Sequence, residues 1–409
     1  MAFHEDLGAA YEAFRNGWLS RSPREAPGQA RGRPAQFMWL EISSGGGWYL
    51  LSKDQEILEN LSFLLPIFLP HSDAVASECL ILGHGFNESD FVKLFPWAYC
   101  LCRELRIPVL IFPCAFHINR RPGSWVRLGR TYHHRRKQIP GNRRSSPFNA
   151  VVSQRISEAP ERFLRGALQS YQDLRDLLRL IREGSLEARG PRGPVRPLAH
   201  GATPHFLGYS ISGYLFLGAL LMDVDGWLEE SRLVLFNSFT AWDEANPVSV
   251  LVIDREAYER GTSFYLEGYR KEGSPGFRSL YEDTPEGNRF RQLFLTNGGE
   301  RPLSHDVSGL RDRLLVIADP HDPIFPGRAI GGHLGEGTAM VFMSLGRHEF
   351  PFNLPRQEMG FVRLARAMRE SWAPSPAYEE AFSRWVSLVT RFLGSQAGLD
   401  GSPLAHSPG

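Results

Sequence analysis

Four polar residues each stand just after a short apolar run of this 409-residue chain. Ser210 follows "PHFLG" at 204–208, Asp319 and Asp322 lie in "DPHDPIFP" after "RLLVIA" at 313–318, and His348 comes after "AMVFMSL" at 339–345. A serine, a carboxylate and an imidazole together perform nucleophilic acyl chemistry. The serine hydroxyl is a weak nucleophile at neutral pH until a base within hydrogen-bond reach takes its proton. A carboxylate then holds that imidazole in the useful tautomer and stabilises its protonated form.

The elements needed to bring these residues together are visible as apolar runs. "CLILG" at 79–83, "PVLIF" at 108–112, "PHFLG", "RLVLF" at 232–236, "RLLVIA" and "AMVFMSL" are mostly continuous rather than alternating. That pattern predicts strands covered on both faces of a parallel sheet. Helical patterns at 162–184 and 212–224 separate several of them, so the chain reads as an open, doubly wound α/β sheet. From Phe37, "FMWLEISSGGGWYLL" gives two apolar stretches around a glycine turn, a hairpin that adds two antiparallel strands at one edge, with a helix expected to follow to about Leu69. The expectation is eight strands, mostly parallel.

Ligands of such sheets bind beyond the carboxyl ends of the strands. Ser210, the aspartates and His348 all belong to that edge, as do His84-Gly85-Phe86-Asn87 after "CLILG" and the segment Cys114 to Arg121 after "PVLIF". Ser210 also has Gly208 two residues before it and Ser212 and Gly213 after it. Small residues on both sides are what a sharp strand-to-helix turn requires. The amide of Ile211, at the head of the following helix, is placed to donate to a developing oxyanion.

The serine, acid and histidine in that chain order, with the turn around Ser210, resemble the α/β-hydrolase superfamily, whose nucleophile sits on a strained G-x-S-x-G elbow. The resemblance spans roughly residues 37–394, and Ser212 stands where the second glycine of the elbow is usual. Through "HGFNESDFVKLFPWA" and "FPCAFHINRRP" the chain is also similar to an uncharacterised bacterial branch of that superfamily. The resemblance implies Ser210 as nucleophile, His348 as base and Asp322 as acid, since Asp322 precedes a hydrophobic residue and a proline as the hydrolase acid loop does. Asp319 and Asp243 remain alternatives for the acid. The "HGFN" stretch resembles the oxyanion loop, implying the amide of Phe86 as second donor with Asn87 as its rival, and His84 as a brace for that loop.

The implied domains are an amphipathic segment and flexible linker at 1–36, a core at 37–238 and 309–394 carrying a basic insertion at 115–160, a cap after the sixth strand at 239–308, and a disordered tail at 395–409. Within the basic insertion, Arg120 and Arg121 leave the fourth strand at the site edge and read equally well as substrate anion binders or as surface residues. Arg135 to Arg144 read as a solvated stretch. His133-His134 lack acidic neighbours, so no metal is expected.

Bulk properties exclude several alternatives. The net charge of +1 gives no field towards nucleic acid or an acidic membrane, and only four of the 46 basic residues are lysines. The four cysteines, Cys79, Cys100, Cys102 and Cys114, lie in apolar context and read as free thiols of a cytoplasmic protein. No G-x-G-x-x-G follows the first strands and no G-x-x-x-x-G-K-[ST] is present, so no cofactor is expected. The expected function is hydrolysis of an ester, thioester or amide of a small-molecule acyl substrate. An acyltransferase using the same residues, or a catalytically silent binding protein, are the alternatives.

Overall fold

The computed structural model describes residues 35–70, 74–91, 93–190, 193–296, 298, 303–335, 337–352 and 376–394. Its strands are β1 (Ala35–Ser43), β2 (Ser62–Pro70), β3 (Ala76–Gly83), β4 (Val109–Phe112), β5 (Ala188–Gly190), β6 (Gly193–Val195), β7 (Leu198–Tyr209), β8 (Leu233–Phe236), β9 (Leu314–Ala318) and β10 (Ala339–Phe342). They form one sheet in the order β10-β9-β8-β7-β3-β4-β2-β1-β5-β6. Neighbours from β4 through β3 and β7 to β10 pair in parallel. The strands on the other side, β2, β1, β5 and β6, pair antiparallel. This is the doubly wound α/β-hydrolase fold with ten strands rather than eight.

Two departures from the sequence reading have local causes. The partner of β1 is β2, along its whole length from Ala35↔Pro70 to Ser43↔Ser62, whereas Gly47–Tyr49 is a single 3-10 turn. "LSFLLPIFLP" read as helix because a short, continuous apolar run does not distinguish helix from buried strand. Its prolines lie outside the two-residue pairing of β2 with β4, so they do not interrupt that ladder. The additional pair β5 and β6 are three residues each and too polar to stand out.

Burial on both faces explains the continuous runs. Along β8, Leu233 and Leu235 enter one hydrophobic cluster while Val234 and Phe236 enter the other, as the two-residue strand period demands. Helices α1 (Leu94–Leu105), α2 (Trp125–Arg136), α3 (Ala150–Glu158), α4 (Arg162–Arg182), α5 (Ser212–Met222), α6 (Arg255–Ser263), α7 (Pro285–Phe294) and α8 (Pro376–Gly394) surround the sheet. Trp97 of α1 and Trp385 of α8 pack on one face. Leu168 of α4 and Phe216 of α5 pack on the other. Residues 1–34 of the expected amphipathic start and linker, all of 353–375 and the tail lie outside the described residues, while Ala35 and Gln36, expected to end the linker, begin β1.

The basic insertion is ordered into α2 and α3. Arg136, expected to be solvated, is buried instead: Nε and Nη2 bond Asp254 at 2.5 and 2.6 Å, and Nη2 also reaches Glu256 at 2.5 Å. Those carboxylates start α6, so the ion pair ties the insertion to 239–308. Arg135, Arg143 and Arg144 are exposed. The aromatics of 239–308, including Trp242, Tyr265, Tyr281 and Phe294, join the same cluster as α4 and α5. All four cysteines are buried and free. Among the described residues no helix is long and apolar enough to cross a membrane.

Candidate active site

Strand β7 passes into α5 through Tyr209, Ser210 and Ile211, and Ser210 adopts φ 56°, a left-handed conformation uncommon for a side-chain-bearing residue. The turn is held by backbone bonds from Ser210 N to Phe236 O at 3.1 Å and from Gly213 N to Ser210 O at 3.1 Å. Ser238 Oγ also donates to Ser210 O at 2.5 Å. A Cβ on Gly208 would lie 2.6 Å from Gly213 Cα, and one on Gly213 would lie 2.0 Å from Ser238 Oγ. Ser212 fits in place of a glycine because its Oγ donates to Tyr209 O at 2.9 Å.

Ser210 Oγ lies 2.8 Å from His348 Nε2, and His348 Nδ1 lies 2.7 Å from Asp322 Oδ2. A carboxylate only accepts, so Nδ1 carries the proton towards Asp322 and Nε2 is left to accept from the serine. The other oxygen of Asp322 accepts the amides of Ile324 and Phe325 at 2.8 and 2.9 Å. All three side chains are buried.

The two alternative acids are placed elsewhere. Asp319 Oδ2 accepts the amides of Leu345 and Gly346 at 2.6 and 3.1 Å, fastening the segment that leads to His348. Asp243 Oδ1 takes the amide and hydroxyl of Thr296 at 3.0 and 2.9 Å.

Behind the histidine lies a set of residues that the sequence reading missed. The Tyr209 hydroxyl donates to His348 O, and the two rings stack with centroids 5.7 Å apart. Lys93 Nζ reaches Tyr209 Oη at 3.2 Å and Glu349 O at 3.0 Å, and it pairs with Glu88. Burial pushes the Glu88 carboxyl up, against the pull of Lys93. Tyr209 had a signal in its position next to Ser210; Lys93 and Glu88 lie in the quoted "HGFNESDFVK" stretch, but nothing in spacing assigns them this contact.

The loop after β3 is braced by His84. Cys114 N donates to His84 Nε2 at 2.8 Å, which leaves Nδ1 as the donor to Gly85 O, also at 2.8 Å. Burial lowers this imidazole to about 4, so it is neutral at physiological pH. Asn87, with φ 60°, donates from Nδ2 to Phe148 O at 3.1 Å and to Leu251 O at 2.6 Å. Its amide nitrogen therefore clamps the loop to the insertion and to 239–308, and it does not border the adjoining cavity.

That cavity, of about 150 Å³, is bordered by Phe86 and Ile211, the two residues whose amides were expected to serve the oxyanion. From Ile211 it follows α5 past Leu215 and Gly218 to Met222, and Phe163 and Phe290, whose ring centroids are 6.0 Å apart, also line it. Ile211 caps the N-terminus of α5, where the helix dipole favours negative charge.

Arg120 and Arg121 take no part in this cavity. Arg120 is fully buried, bonding Asp173 Oδ2 at 2.7 Å, Asn60 through Oδ1 and O at 3.1 and 2.9 Å, and Pro113 O at 3.2 Å. All three guanidinium nitrogens bond the scaffold, so Arg120 is neither a substrate anion binder nor a surface residue but half of a structural ion pair. Arg121 is half-buried with its guanidinium 5.6 Å from the Trp125 ring.

The model of one protein family matches residues 45–386, more than four-fifths of the chain, under the description "Family of unknown function (DUF6051)". The chain belongs to that family. No curated protein matches it. Among solved structures, it is similar to carboxyl esterase 2 from the mycorrhizal fungus Tuber melanosporum, at 10% identity and TM-score 0.45 over 94% of this chain and 98% of that one. It is also similar to a fungal esterase from Rhizomucor miehei, at 12% identity and TM-score 0.46 over 95% and 91%. A third is an esterase of Pyrobaculum calidifontis, at 11% identity and TM-score 0.42 over 87% and 84%.

Proposed function

We propose that this DUF6051 chain is a serine hydrolase that cleaves an ester, thioester or amide of a small-molecule acyl substrate through an acyl-enzyme. The observation that carries the reading is the hydrogen-bonded run from Ser210 Oγ through His348 to Asp322, built on a strained turn. Backbone strain held by surrounding bonds is a recurrent means of orienting a nucleophile in advance of reaction.

In this reading His348 Nε2 takes the Ser210 proton as Oγ attacks the carbonyl carbon, and Asp322 stabilises the imidazolium. The amides of Ile211 and Phe86 receive the negative charge on the carbonyl oxygen. His348 then gives the proton to the leaving alcohol, thiol or amine as its bond to carbon breaks. Water, deprotonated by His348, attacks the acyl carbon, and His348 gives that proton to Ser210 Oγ as its bond to the acyl carbon breaks, releasing the acid and restoring Ser210. His84, held neutral by burial, keeps the oxyanion loop in place. Asp319 and Tyr209 act through His348 as positioning residues.

The test is hydrolysis of short aryl esters by purified protein, with Ser210→Ala as control, in the presence and absence of added alcohols and amines. Acid release in water alone, abolished in Ser210→Ala, is the expected result. Release that requires an acceptor would replace hydrolase by acyltransferase.

A further inference from the structure

The cavity beside Phe86 and Ile211 is largely apolar, yet three arginines border it: Arg155, Arg162 and Arg289. Two of them are accounted for. Arg289 bonds Asp306 at 2.7 Å. Arg162 bonds Asp54 at 3.0 Å, Arg155 O at 3.2 Å and Glu158 at 3.4 Å.

Arg155 differs. Its Nη1 shares the same Asp54 at 3.1 Å, so one buried carboxylate serves two guanidinium groups, and Glu158 stands on the exposed side of Arg162. Its Cζ lies 4.8 Å from the Phe116 ring centroid and 4.9 Å from that of Trp125, both walls of the cavity. Its Nη2 is buried and has no hydrogen-bond partner among the described residues. A buried cationic N–H group without an acceptor is costly, and an anion that draws this guanidinium towards the cavity its side chain borders removes that cost. The one carboxylate bordering the cavity, Glu286, lies in the first turn of α7, the helix that also carries Arg289.

We propose that Arg155 forms an anion subsite in this cavity and that the substrate carries a carboxylate on the portion that enters it. The substrate class is thus an ester of a dicarboxylic acid with one acid group free, or an ester whose alcohol carries the acid. This rests on the hydrolase reading for its chemistry but not for its binding. Phe116 and Trp125 hold the guanidinium plane, and Asp54 keeps Arg162 as a partner when Arg155 is changed.

The experiment compares kcat/KM for phenyl hexanoate against monophenyl adipate, and for phenyl butyrate against 4-butyryloxybenzoate, in the wild type, Arg155→Met and Arg155→Lys. The first pair tests an acid on the acyl side, the second an acid on the alcohol side. The expected result is a preference of about tenfold to a hundredfold for one anionic ester, the range of a charge-assisted hydrogen bond. Arg155→Met loses that preference and keeps its rate on the neutral ester within about threefold, and Arg155→Lys retains part of it.

No preference in the wild type, or one that survives in Arg155→Met, overturns the subsite and leaves the hydrolase reading standing. Titration of monoethyl adipate into the full chain separates the other case. If no ester is cleaved but binding occurs and depends on Arg155, the subsite stands and the hydrolase reading falls; if binding is absent as well, both fall.

Discussion

Tyr209 and His348 are joined twice: their rings stack at 23° with centroids 5.7 Å apart, and the tyrosine hydroxyl donates to the histidine carbonyl. The residue before Ser210 therefore fixes both the ring and the backbone of the proposed base. Tyr209→Phe keeps the stack and removes the hydrogen bond, worth about 1 kcal/mol. The expected outcome is a kcat lower by about five- to tenfold with KM little changed. A change confined to KM would show that Tyr209 does not position His348.

The two aspartates of the loop after β9 separate by role. Asp322→Asn removes the carboxylate that orients the imidazole, and kcat falls by about 10⁴ with the fold intact, by analogy with loss of the orienting acid in serine proteases. Asp319→Asn leaves the amides of Leu345 and Gly346 facing a weaker acceptor. Its main effect is a loss of stability of about 1–3 kcal/mol, read by urea unfolding, with a smaller loss of rate. Equal rate losses in the two variants, with no difference in stability, would contradict this division.

The buried His84 makes stability depend on pH. Its native value of about 4 lies below the ordinary 6.5, so the unfolded chain binds the proton first as pH falls. The contribution is fully present above about 6.5 and is lost between there and about 4, amounting to the order of 3 kcal/mol. His84→Gln has lower stability at pH 7 but a shallower decline towards pH 4.5. Parallel stability curves for the two proteins, measured by urea unfolding across that window, would show that His84 is not the group responsible.

Crowding at the turn gives a prediction about its glycines. A methyl on Gly213 meets the Ser238 hydroxyl that holds Ser210 O. Gly213→Ala therefore displaces Ser238, costs about 1–3 kcal/mol as overpacking does, and lowers kcat through the misplaced turn. Unchanged activity in a folded Gly213→Ala protein would mean that the geometry of the turn is unimportant.

Much of this arrangement was legible because it is local. The continuous runs of β3, β4, β7, β8 and β9 announce burial on both faces, and small residues around Ser210 announce a tight turn whose crowding the structure then displays. What was missed depends on distant partners. The pairing of β1 with β2 skips the nearer apolar stretch, and composition cannot distinguish the buried pairs Arg120–Asp173 and Arg136–Asp254 from solvated arginines. Arg155 lies in an unremarkable amphipathic helix, and only folding brings it to the cavity that Phe86 and Ile211 also border.

The central claim is that Ser210 is an activated nucleophile. It is tested most directly by treating folded wild type, Ser210→Ala and His348→Ala with a fluorophosphonate probe and locating the modified peptide by mass spectrometry. The account predicts stoichiometric labelling at Ser210 in the wild type, none in Ser210→Ala, and a rate at least about a hundredfold lower in His348→Ala. Folded wild type that stays unlabelled, or labelling that His348→Ala leaves unchanged, would contradict it.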